Sequence, residues 1–116
     1  MAKADRLERL DKRRIDLEAD YTAALIEALK VTASGKWGLF DHKPDRVARA
    51  SIAPTIAHLT DLGDAIDAAR EQLDMEPFAL HHEFLAARGP VSSQSVGEPK
   101  QAQAWLNRII PPDRPA

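Results

Sequence analysis

A chain of 116 residues, 44% hydrophobic and 29% charged, has the make-up of one globular domain: too short for two independent cores, too apolar for a disordered segment. Sixteen basic against eighteen acidic residues leave a formal charge of -2, which excludes a global field that would gather nucleic acid or an anionic membrane. The absence of cysteine excludes disulfides, thiolate catalysis and sulfur-ligated zinc, and makes the cytoplasm the expected setting.

The N-terminal stretch alternates charges without an apolar run of leader length, and no later stretch approaches the roughly eighteen apolar residues of a membrane span, so neither a leader nor an anchor is expected. Glycines and prolines at Gly35, Pro44, Pro54, Pro77, Gly89-Pro90 and Gly97-Glu98-Pro99 cut the chain into helical lengths, because proline suits a first helical turn and glycine the position past a last one. The expected fold is all-α: a small bundle of four to five helices built on a long antiparallel helical hairpin, with residues 1–116 as a single helical domain.

Residues 4–33 read as the first long helix. Leu7, Leu10, Leu17, Tyr21, Ala24, Ala28 and Val31 recur at three- and four-residue spacing, and pairs such as Asp5 with Arg9 and Arg14 with Glu18 lie one turn apart on its charged faces. From Leu25 onward the apolar arc widens to include Ile26 and Leu29, so the core is expected at the C-terminal half. Residues 35–43 form a loop, Gly35-Lys36-Trp37-Gly38-Leu39-Phe40-Asp41 at its start. Its large apolar residues read either as a plug for the open end of the hairpin or as an exposed anchor for a protein partner, with Arg46 and Arg49 just downstream.

Residues 44–52 read as helix, kinked or broken at Pro54, and residues 54–74 as a clean amphipathic helix with Leu59, Leu62 and Ile66 on one side and Asp61, Asp64 and Asp67 on another. Gly63 inside it costs up to about 1 kcal/mol relative to alanine, which points to a close helix crossing with another backbone passing there. Residues 77–88 make a short helix with apolar residues on two sides, residues 89–98 a Ser-rich linker, residues 99–110 a last helix with Ala102, Trp105, Leu106 and Ile109 on one stripe, and residues 111–116 a Pro-rich tail.

A first helix of roughly 45 Å beside a partner of roughly 30 Å after Pro54 leaves an overhang, at 1.5 Å per residue. Its stripe, Leu7, Leu10, Arg14 and Leu17, is the first candidate interface, with Trp37 and Phe40 second; Arg14 interrupts the stripe, where its charge would fix register with Glu18 or a carboxylate across the seam. The expected function is a non-enzymatic protein–protein interaction or regulatory module, self-associating as a homodimer through the N-terminal helix, with a further protein partner allowed and no membrane.

An alternative is a DNA- or RNA-associated accessory protein using Lys36, Lys43, Arg46 and Arg49; against the first helix in that role, six basic residues through position 20 meet six acidic ones. A third reading, a small-molecule sensor or enzyme, would need an apolar pocket near His81 and Trp105. His81-His82-Glu83 makes a weak metal motif, since adjacent helical residues diverge by about 100°. His81 reads instead as a half-buried, hydrogen-bonded histidine among Phe78, Phe84 and Leu85. No catalytic, cofactor or metal residues are assigned, because no Ser/His/Asp set, phosphate loop or carboxylate pair has the required spacing.

Overall fold

The computed structural model describes residues 2–35, 39–40, 46–88 and 98–110. Among these the chain forms four α-helices and no strand: α1 (Ala2–Ala33), α2 (Arg46–Gln72), α3 (Ala79–Ala87) and α4 (Glu98–Ile109). Both α2 and α4 pack against α1, which makes α1 the member common to the bundle's two main contacts. No helix among the described residues is long and apolar enough to cross a membrane.

Helix α1 ends as its glycine predicts: Gly35 takes φ of 88°, and its amide donates to the carbonyl of Thr32 at 2.9 Å. Helix α2 ends without one. Asp74 adopts φ of 60° while the Met75 amide donates to the carbonyl of Arg70 and the Asp74 amide to that of Glu71, a Schellman arrangement with an aspartate in the left-handed position.

Of the two alternatives open at Pro54, a kink in one helix or a break, the break does not occur: one helix of 27 residues runs through Pro54. Pro54 removes the amide that would bond the carbonyl of Ala50, and both residues are solvent-exposed, where water can serve that carbonyl. Near its C-terminal end, at Arg70, two residues before the last, α2 bonds Glu18 of α1.

At Gly63 the close approach is made by the imidazole of His81, and a Cβ there would collide with its ring.

The start of α3 also moves. Pro77 is not its first residue, because Phe78 is held extended (φ -69°, ψ 103°), its amide donating to Asp67 Oδ1 of α2 at 2.9 Å and its ring set edge-on to Tyr21. The helix begins only after that tether.

The core draws on every helix: Tyr21, Leu25 and Leu29 from α1, Ile52, Leu59 and Ile66 from α2, Phe84 from α3, and Ala102 and Leu106 from α4. Leu39 and Phe40 have no exposed surface, as the plug reading requires. Phe40 lies 6.1 Å from the Phe84 ring and 5.7 Å from that of Trp105, and the Arg88 Nε–H donates to the Leu39 carbonyl at 2.9 Å. Farther along α1, Ala24, Ala28 and Val31 share an open groove with Pro54 and His58 of α2.

Candidate functional site

Two places gather chemistry: the first half of α1, and the seat of α3 on α1 and α2. They adjoin at Glu18, so the site is built outward from that residue.

Arg14 donates from Nε to Asp11 at 2.9 Å and from Nη1 to Glu18 Oε2 at 2.8 Å, and the same Glu18 oxygen accepts from Arg70 Nε at 2.8 Å. The spacing of Asp11, Arg14 and Glu18 puts three side chains on one helical face, one turn apart. Burial pushes the Glu18 carboxyl up, but the hydrogen bonds and charges of Arg70 and Arg14 outweigh it and hold it below the usual carboxylate range. The bonds to Glu18 and Asp11 raise Arg14 in turn. Arg14 is thus committed within its own chain, and through Glu18 it ties α1 to the end of α2.

Arg70 continues the network. Its Nη1 donates to the Glu76 carbonyl at 3.0 Å, and its guanidinium stands 5.2 Å from the centre of the Phe78 ring, which fixes the segment leading into α3. Asp67, one turn earlier on α2, accepts the Phe78 amide on Oδ1 and meets His82 Nε2 with Oδ2 at 2.6 Å.

Behind this polar edge lies the buried pair. His81, 1% exposed, has Nδ1 at 2.7 Å from the Tyr21 hydroxyl, which is also buried, and the Nε2 edge of its ring rests on Gly63. Only glycine admits an aromatic ring this close to the helix. Burial, with the charge of Asp67 adding to it, pushes the Tyr21 phenol well above its ordinary value and keeps it protonated. His81 is more enclosed than the half-buried histidine expected from sequence, because Tyr21 and Gly63 close over it; Leu85, taken as its neighbour, is 40% exposed instead.

The candidate interface residues separate accordingly. Leu7 is 40% exposed and Leu10 half-buried, while Leu17 is half-buried against the chain's own core. Ile15, 52% exposed, is an apolar residue that the stripe reading passed over, because it sits one position past Arg14 and off the stripe. Phe40 is corrected outright: fully buried between Phe84 and Trp105, it has no surface to offer a partner. Trp37, Lys36 and Lys43 lie outside the described residues, as do the side chains of Arg46 and Arg49.

Phe84 is fully buried against Trp105 at 6.2 Å, and His81, a turn away, is enclosed by Tyr21 and Gly63. Among the described residues no three His, Asp or Glu side chains group as a metal site would require.

Sequence had marked His81 and Gly63 separately but gave no sign that they meet. Asp67, read as one of the acidic residues opposite the apolar side, and Arg70, which the sequence did not single out, hold the segment that enters α3. Comparison with protein-family models, curated proteins and solved structures finds no match to this chain.

Proposed function

We propose that the chain is a non-enzymatic interaction module, one domain working in the cytoplasm, which pairs with a second copy through the first half of α1. Its scaffold is an antiparallel hairpin of α1 and α2. Two observations support that direction: Glu18 in the first half of α1 meets Arg70 near the end of α2, while Ala28 and Val31 in the second half line a groove with Pro54 and His58 near its start.

The observation that carries the pairing is the run of α1 before Glu18. None of residues 4–17 is fully buried, yet Leu7 and Leu10 continue the stripe that becomes core at Leu17 and Tyr21. An apolar stripe on a helix that extends beyond its neighbour is what a second helix covers in a coiled-coil seam. Arg14 sits within that stripe already neutralised by Asp11 and Glu18, so a partner helix would meet a paired charge instead of a bare one.

Light scattering on a sizing column tests the pairing. The wild-type chain should have the mass of two copies, and the Leu7→Asp, Leu10→Asp double variant the mass of one, with helical circular dichroism retained. Leu17 is left out of the variant because it also packs on the chain's own core. A single-copy mass for the wild type at tens of micromolar overturns the proposal.

A further inference from the structure

Helix α3 differs from its neighbours in how it is held. It has nine residues, of which two, His81 and Phe84, are buried, and its N-cap residue Phe78 supplies no side-chain cap. Its seat is an imidazole wedged between α1 and α2, with Tyr21 at Nδ1 and the backbone of Gly63 at the Nε2 edge. The neutral ring suits this place, since one nitrogen shares a hydrogen with the phenol and the other rests on carbon. A protonated ring would carry N–H groups at both positions and a full charge, and among the described residues Nε2 has no hydrogen-bond acceptor.

We propose that α3 is a pH-sensitive latch: uptake of a proton by His81 lifts the helix from its seat on Tyr21 and Gly63 and uncovers the face of α1 that continues from Leu17. This holds whether or not the chain pairs through α1.

The charges around the ring come from three elements. Tyr21 of α1 is neutral; Asp64 and Asp67 of α2 favour the protonated imidazole; His82, next along α3, opposes it. Helix α4 reaches α3 further on, through Trp105 on Phe84 and Arg108 on Glu83. Burial first and His82 second outweigh the two aspartates and hold His81 below its ordinary 6.5. The folded state therefore resists the proton that the released state accepts. The docking free energy contributed by neutral His81 is fully present above pH 6.5 and is lost progressively as pH falls below it toward the depressed value.

The experiment is amide hydrogen exchange of the full chain at pH 7 and pH 5, corrected for intrinsic rates, in the wild type and in His81→Gln, with the imidazoles titrated by NMR alongside. Protection of the α3 amides should fall by up to roughly 25-fold between the two pH values, the limit set by linkage to a released-state value of 6.5. Protection in α1 and α2 should change little, and His81→Gln should flatten the α3 dependence. Three results overturn the latch: equal α3 protection at both pH values, the same fall in His81→Gln, or a fall shared equally by α1 and α2. Should His81→Gln fail to fold, the wild-type titration decides. A His81 signal titrating below 6.5 together with loss of α3 protection supports the latch, and one titrating at 6.5 with α3 still docked overturns it.

Discussion

In the second half of α1, Tyr21, Leu25 and Leu29 have no exposed surface, while in the first half Leu7, which begins the same stripe, keeps 40% of its own. The helix is continuous between them, but charges crowd the first half, while Glu27 and Lys30 are the only charged residues between Tyr21 and Ala33. At the border between them Arg70 of α2 bonds Glu18, and Asp74 takes a left-handed turn just past the end of α2. A stripe of leucines thus specifies a face that seeks cover; the cover itself depends on how far the neighbouring helix runs and where it is pinned.

That contrast can be broken most directly by truncating one residue from each region. Phe84→Ala removes a ring that is fully buried against Phe40 and Trp105 and should cost about 3–5 kcal/mol in urea denaturation. Leu7→Ala, measured at a concentration where the chain is a single copy, should stay within about 0.5 kcal/mol of wild type. Comparable losses for the two would mean that the first half of α1 is covered within its own chain.

A smaller effect sharpens the account of the α3 seat. Gly63→Ala gains up to about 1 kcal/mol of helix propensity, but its Cβ collides with the rigid His81 ring, and the net result should be a loss of about 1–3 kcal/mol. In a His81→Ala background the same change should become neutral or stabilising. If Gly63→Ala is equally harmful with and without the imidazole, the ring is not what requires glycine there.

The smallest expected change lies at the border between the two regions. Asp74→Gly relieves a non-glycine residue held at φ of 60° and should stabilise the chain by about 0.5–1 kcal/mol in the same assay.

Local chemistry made much of the molecule legible. The reach of α1 follows from its periodicity and its glycine stop, and the widening of the apolar arc at Leu25 marked which half would be core. The plug of Leu39 and Phe40 was visible as a concentration of large apolar residues in one turn. Pro54 was not decidable, because a proline breaks or merely interrupts a helix according to whether the orphaned carbonyl finds water, and that depends on which face is covered. Gly63 announced a close approach without saying by what, since a missing Cβ accommodates a ring as readily as a backbone. Asp67 fell among the acidic residues opposite the apolar side, and Arg70 carried no signal; their partners, Phe78 and Glu18, lie 11 and 52 positions away, beyond any helical spacing.

By itself, then, the sequence determined the helices, their polar and apolar faces, and the half of α1 that would be buried, because these depend on spacing within a few turns of one chain segment. Only the tertiary structure decided that Arg70 of α2 bonds Glu18 of α1, that His81 of α3 rests on Gly63 and bonds Tyr21, and that Phe40 belongs to the interior. Those outcomes depend on the offset between helices, which is set by packing and hydrogen bonds between residues far apart in the chain, where no local periodicity carries information.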